Sequence, residues 1–142
     1  MKKRSIISFS IALIMIIAVL GSATASASAL RSSPTLSSYG VIITKGSSTG
    51  KIVITYDVLA NSIADSVGVS SMKIYKSDGS YVTTIRATSL NGFTASGVGS
   101  HRNSYIYTGT SGTSYYAEVT VFATINGVTD SRTVKTNTVT AP

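Results

Sequence analysis

The sequence contains no cysteine and no tryptophan, and it has only two prolines and one histidine. Without cysteine, no disulfide can stabilise a small domain and no thiolate is available for a zinc site. The single histidine, His101, stands in a polar Gly/Ser segment beside Arg102, and the chain has no Gly-x-Ser-x-Gly nucleophile elbow. We therefore expect neither a bound metal nor a Ser-His-Asp hydrolase.

Acidic side chains are also scarce, which bears on acid–base catalysis. Glycosidases need two carboxylates that flank the scissile bond. Of the few acids, Asp78 and Asp130 lie in or near predicted turns, and no D-x-D-x-D calcium spacing occurs. No glycine loop precedes a helix to hold phosphate. We predict a protein that is not an enzyme and has no cofactor.

The first part of the chain has the three regions of a secretory signal peptide. Cations at positions 2–4 precede an apolar run, Ile6–Leu20, and a small-residue segment follows at positions 21–29. Signal peptidase requires small side chains at such a junction, and the last A-x-A steps predict cleavage after Ala27 or after Ala29. The apolar run is shorter than the roughly 20 residues of a spanning helix, so a membrane anchor is the weaker alternative.

Export also determines how the basic charge is interpreted. The precursor carries a formal net charge of +7. Loss of the signal cations reduces it to about +4, and no dense Lys/Arg cluster remains. We therefore expect no nucleic-acid partner and no stable membrane anchor after cleavage. The predicted localisation is extracellular, with loose attachment to the cell wall as one form of it.

Beyond a Ser-rich leader at positions 30–38, residues 39–142 show the period-two alternation of strands and no helical period. Loops are expected at 60–68 and 88–101, and Asn126-Gly127 is a strong hairpin turn signal. We predict one all-β domain, a β-sandwich of about seven antiparallel strands. These strands are Tyr39–Ile43, Lys51–Leu59, Val69–Lys76, Tyr81–Ala87, Arg102–Thr108, Ser114–Ile125 and Val128–Val139.

The segment Tyr107–Tyr115, followed by Ala117, Val119 and Val121, resembles a fibronectin type III or immunoglobulin-like domain. In that resemblance Tyr115 is the corner tyrosine, whose hydroxyl bonds back to the backbone near the preceding turn. The chain also resembles small signal-bearing sandwich proteins of Gram-positive bacteria. These resemblances imply a fold and an extracellular setting, but no mechanism.

Tyrosine is the residue type most suggestive of binding, because its ring is apolar and its hydroxyl polar. The chain has eight tyrosines. Tyr105 and Tyr107 are two residues apart on one strand and could form a small platform. Phe93, alone in its polar segment, is either a plug over the core or an exposed anchor.

We therefore expect a secreted, non-enzymatic β-sandwich that binds or adheres to an extracellular protein, a polysaccharide or a cell-wall polymer. A small secreted effector of the bacteriocin type, acting on membranes, is the alternative; the basic charge favours it, and the lack of an amphipathic segment opposes it. A secreted hydrolase is the third hypothesis.

Overall fold

A computed structural model describes residues 33–142, and every regular element in this part of the chain is a β-strand. The predicted signal peptide, with its cleavage positions after Ala27 and Ala29, lies outside the described residues. The strands are β1 (Leu36–Lys45), β2 (Lys51–Ala64), β3 (Ser66–Lys76), β4 (Tyr81–Arg86), β5 (Thr94–Ala95), β6 (Val98–Thr108), β7 (Ser114–Ile125), β8 (Val128–Lys135) and β9 (Val139–Thr140). The predicted all-β class is confirmed.

The strands form two antiparallel sheets. One sheet has the order β1-β2-β6, and the other has the order β4-β3-β7-β8, with β5 beside β3 and β9 beside β7. The buried side chains of both sheets form one hydrophobic cluster. The architecture is therefore that of a two-sheet sandwich, in which each sheet has one face on the core and one face in solvent.

In β7 and in the first part of β2, buried and exposed residues alternate as the sequence predicts. In β7, Tyr115, Ala117, Val119 and Val121 are buried while the residues between them are partly exposed. The same period holds in the first part of β2, from Ile52 to Val58. Because successive side chains point to opposite faces, the apolar residues of both strands fill the core. Both predicted faces are confirmed.

The predicted loop at 60–68 is wrong, because this segment is strand. β2 continues to Ala64, β3 begins at Ser66, and the chain passes from one sheet to the other at Asp65. The core face changes from odd positions, Val67 and Val69, to even positions, Met72 and Ile74, across a register shift after Val69. Small core residues and this bulge conceal the alternation in the sequence.

The predicted loop at 88–101 is half the expected length. Phe93 is followed by β5, which pairs with β3 through Gly68, and β6 begins at Val98. Gly68 has a positive φ of 144°, and a Cβ there would overlap the Phe93 carbonyl oxygen. A glycine is therefore needed for the backbone of this segment to lie against β3.

The predicted last strand, 128–139, is divided into β8 and β9. Between them Thr136 donates its N–H to the Ala117 carbonyl at 2.9 Å, and its hydroxyl accepts a hydrogen bond from Ala117 N–H at 2.9 Å. The Thr136 hydroxyl thus takes the place of a backbone carbonyl as the acceptor for β7 at the point where β8 ends. The Asn126-Gly127 turn before β8 is confirmed, with both residues at positive φ.

A polar cluster, which we call the N-terminal tie, fixes the beginning of the described chain. The Asp130 carboxylate accepts hydrogen bonds from Ser33 Oγ at 2.7 Å and from Thr35 N–H at 3.3 Å. Thr35 donates its hydroxyl to the Ala123 carbonyl at 2.8 Å. Since Thr35 is buried and β1 begins at Leu36, residues 35–38 belong to the folded domain.

Candidate binding surface on the outer sheet face

The sequence-predicted binding residue Phe93 lies in the core. Its side chain is 1% exposed, and its ring makes edge contacts with Tyr56 at 6.1 Å and with Tyr105 at 5.5 Å between centroids. Of the two interpretations of Phe93, the plug describes this position. The structure leaves no ring surface there for a partner to contact.

Tyr105 and Tyr107 lie on one face of β6, and that face is directed at the core. Both rings are half-buried and pack against the hydrophobic cluster. Tyr107 makes an edge contact with Tyr115 at 5.8 Å. The predicted platform of Tyr105 and Tyr107 therefore does not face solvent, because both residues lie on the inner side of β6.

Tyr115 has the contact expected of a corner tyrosine. It is 2% exposed, and its hydroxyl accepts a hydrogen bond from Thr110 N–H at 2.9 Å. Burial opposes ionisation of this hydroxyl, but hydrogen bonds from Thr110 and Thr113 outweigh it and lower the pKa. A Cβ on Gly109 would lie 2.7 Å from the hydroxyl oxygen, so the turn needs glycine at that position.

His101 belongs to a structural hydrogen-bond centre on the Gly92 carbonyl. That oxygen accepts from Tyr56 Oη at 2.9 Å and Asn103 Nδ2 at 2.9 Å, and lies 2.7 Å from His101 Nε2. Burial raises the pKa of Tyr56 to about 12, so the hydroxyl remains a donor at neutral pH. The centre positions the segment that carries Phe93 and presents no nucleophile to solvent.

The aromatic cluster on the outside of the protein lies on the outer face of the larger, six-stranded sheet. Tyr81 of β4 is opposite Tyr75 of β3, and Tyr75 is opposite Tyr116 of β7. The Tyr75 and Tyr116 rings stack almost in parallel, with an interplanar angle of 11° and centroids 5.2 Å apart. Tyr81 meets Tyr75 edge to face at 5.8 Å. We call these three residues the tyrosine row.

The tyrosine row leaves its outer end most accessible. Tyr81 is 60% exposed, and its hydroxyl lies 3.0 Å from Thr84 Oγ1 along the same strand. At the other end, Lys135 Nζ lies 4.2 Å from the centroid of the Tyr116 ring. Because β3 and β8 flank β7, Tyr75 and Lys135 cover opposite faces of the Tyr116 ring.

Charged side chains lie next to the tyrosine row on the same outer face. Lys73 of β3 is opposite Glu118 of β7, and Glu118 is opposite Lys135 of β8. We call these three residues the charged row. Desolvation, together with the negative charge of Glu118, raises the pKa of Tyr75, so its hydroxyl remains protonated and able to donate at neutral pH.

The outer face of the three-stranded sheet is aliphatic. Ile42 and Ile106 are 55% and 57% exposed, and Val53 lies opposite Ile106. Beside them is a shallow depression of about 180 Å³, lined by Gly40, Ile42, Thr55, Tyr56, Asp57 and Arg102. Arg102 and Asp57 form an exposed ion pair at 3.9 Å. This face offers two exposed isoleucines and an ion pair among polar side chains.

Sequence reasoning missed the tyrosine row, although part of its signal was present. The Ser77–Ser80 turn places Tyr75 opposite Tyr81, and the alternation of β7 puts Tyr116 on the face opposite Tyr115. What the sequence does not contain is the pairing of β3 with β7, which brings the two halves of the row together. That pairing joins strands distant in the chain.

Among residues 33–142, no helix is long and apolar enough to cross a membrane. Nor does this range contain a group of three His, Cys, Asp or Glu side chains placed to hold a metal ion. No protein family model matches the chain, and no curated protein or solved structure matches it either. The candidate site is therefore defined by the geometry of its own residues.

Proposed function

We propose that this protein is a secreted, non-enzymatic binding protein, whose ligand is an extracellular polysaccharide or cell-wall polymer that lies on the tyrosine row. The observation that carries the proposal is the continuous row formed by Tyr81, Tyr75 and Tyr116 across three neighbouring strands. The row faces away from the core, so the domain does not need these rings to fill its interior.

The chemistry of the row suits a polyhydroxylated ligand. Tyr81, at the accessible end of the row, offers an apolar ring for the carbon skeleton of a sugar, and the hydroxyls of all three tyrosines offer hydrogen bonds to its oxygens. Polar groups of the charged row lie directly beside the rings, as they do at the rim of many binding surfaces. A flat sheet face of this kind can contact a polymer over several units, whereas a small molecule needs a concave pocket.

The finer assignment of the fold and the setting belongs to the same proposal: a fibronectin type III or immunoglobulin-like domain exported by the signal peptide at 1–29. Immunoglobulin-like sandwiches place their first, second and fifth strands in one sheet and their third, sixth and seventh in the other. The sheets β1-β2-β6 and β4-β3-β7-β8 support this order if β4 is the additional strand beside the third. The Tyr115 hydrogen bond supports it too.

The test compares two exposed tyrosines. Tyr81→Ala removes the accessible end of the row, while Tyr39→Ala removes a 44% exposed tyrosine on β1 in the other sheet. Binding to insoluble polysaccharides and to bacterial wall preparations should fall about tenfold for Tyr81→Ala, the effect of losing one good contact residue. Tyr39→Ala should bind as the unmodified protein does. Equal binding by all three proteins, each with an unchanged melting temperature, would contradict the proposal.

A further inference from the structure

The arrangement of rings and charges on this face limits which polysaccharide can bind. The faces of the Tyr116 ring are covered by Tyr75 on one side and by Lys135 on the other. The Tyr75 ring is likewise flanked by Tyr116 and by Tyr81. Most of what these two rings offer to solvent is therefore edge and hydroxyl. Aromatic edges carry partial positive charge and aromatic faces partial negative charge, so such a surface favours electron-rich ligand groups.

The charged row adds two exposed cations that are not neutralised by close contacts. Within the part of the chain that the structure describes, the one ion pair joins Arg102 to Asp57, on the opposite sheet. Lys73 and Lys135 are thus both farther than salt-bridge distance from Glu118. Their ammonium groups have three donors each, which carboxylate, phosphate and sulfate oxygens accept strongly.

None of the remaining carboxylates pairs directly with these cations, because each has its partner elsewhere. Asp65 accepts a hydrogen bond from Gly127 N–H at 3.1 Å, and Asp78 accepts from Ser80 N–H at 2.8 Å. Asp130 is held in the N-terminal tie. On the outer face of the six-stranded sheet the negative charge of Glu118 is outnumbered by the positive charges of Lys73, Lys135 and the exposed Arg86, which lies opposite Ser71. This face is therefore net positive beside a row of hydrogen-bond donors.

We infer that the ligand of the tyrosine row is an anionic polysaccharide, one whose sugars carry carboxylate, phosphate or sulfate groups. The inference rests on the proposed function and adds the charge of the ligand to it. A chain of sugars lying across the strands would place its hydroxyls on Tyr75, Tyr81 and Tyr116. Its acidic groups would then contact Lys73 and Lys135, which lie on the next row of the sheet.

Matched polysaccharides separate the contributions of charge and sugar. Polygalacturonate is compared with the same polymer after methyl esterification, and dextran sulfate is compared with dextran; poly-L-glutamate supplies negative charge without sugar. The double variant Lys73→Gln/Lys135→Gln is compared with Lys45→Gln/Lys51→Gln, which removes the same charge from the β1–β2 hairpin of the other sheet. Melting temperatures of both variants show whether the fold is intact.

We expect tighter binding of polygalacturonate and dextran sulfate than of their neutral counterparts. The charged-row variant should lose about tenfold or more in affinity, and the control variant should lose little. Binding should weaken as salt rises, because the contacts are exposed to solvent. Equal losses in both double variants, or equal binding of poly-L-glutamate, would overturn the inference by showing general charge attraction.

The two proposals fail in different ways. If Tyr81→Ala weakens binding of a neutral polysaccharide while Lys73→Gln/Lys135→Gln does not, the proposed function stands and the anionic ligand is refuted. If no polysaccharide binds, or if Tyr81→Ala changes nothing, both are refuted. Leakage of liposomes at low protein concentration, without polysaccharide binding, would support the membrane effector in their place.

Discussion

The tyrosines inside the sandwich and those on its outer face are held by different contacts. Inside, Tyr56 and Tyr115 are fixed through their hydroxyls, which bond to backbone groups of loops and turns. Outside, the rings of the tyrosine row are held mainly by one another and by a lysine. The comparison shows that tyrosine has no single role in this protein. A tyrosine on the inner side of a strand holds a loop or turn in place, whereas one on the outer side presents its ring or hydroxyl to solvent.

Removal of an interior ring should give the largest difference between the two regions. Phe93→Ala deletes a fully buried aromatic that contacts Tyr56 and Tyr105, and we expect a loss of about 3–5 kcal/mol in the free energy of unfolding. Tyr81→Ala, in the outer row, should cost far less. Chemical denaturation of both variants measures this. Similar costs would show that the outer row is structural.

A smaller change tests one interior hydroxyl against one outer hydroxyl. Tyr115→Phe removes the acceptor for Thr110 N–H and should destabilise the protein by about 1–3 kcal/mol. Tyr116→Phe, the next residue on the opposite face, should be nearly neutral because its ring contacts remain. Thermal melts of the two isosteric variants provide the comparison. A neutral Tyr115→Phe would contradict the role of the hydroxyl in holding the turn.

The contact between the tyrosine row and the charged row should add little to the stability of the protein. A double-mutant cycle on Tyr116→Leu and Lys135→Gln should give an interaction energy of about 0.5–1 kcal/mol, the range of an exposed cation–π contact. Unfolding free energies of the four proteins give this value. A coupling several times larger would mean that the Tyr116–Lys135 contact serves mainly to stabilise the sheet and not to bind a ligand.

Alkaline titration isolates one interior tyrosine, Tyr56, without large effects at neutral pH. The pKa of Tyr56 is raised from 10.0 to about 12, so the folded protein holds this proton more tightly than the unfolded chain does. The corresponding stability is present below pH 10 and is lost as the pH rises toward 12. Ultraviolet absorbance should show a phenolate step near pH 12 that is absent from Tyr56→Phe. A phenolate step near pH 12 that persists in Tyr56→Phe would show that another tyrosine titrates there.

Local sequence signals predicted the core strands because their alternation is uninterrupted. The inward residues of β2 and β7 follow from a period of two, and the Asn126-Gly127 turn follows from its backbone preference. The segment 60–68 was wrongly expected to be a loop, because Ala60 and Ala64 are small core residues and a bulge reverses the phase. Small alanines and a shift of phase both interrupt the hydrophobic alternation from which a strand is predicted.

The candidate site was less accessible to sequence reasoning than the fold. For Phe93 the sequence left a core plug and an exposed anchor open, and for Tyr105 it suggested a platform; both side chains pack toward the core. The row that faces solvent depends on the register between β3 and β7, which are joined through several intervening strands. Such long-range register is set by the whole core and by bulges, and no local pattern specifies it.

The N-terminal tie has a consequence for the order in which the chain can fold. Its donor Ser33 and its acceptor Asp130 are 97 positions apart, so the tie cannot close until β8 has been synthesised. Contacts this distant in sequence slow folding, because loop closure precedes the gain from packing. During synthesis from the N-terminus, β1 can therefore pair with β2 early, whereas the hydrogen bonds that fix Ser33 to Asp130 form only when the last part of the chain is available.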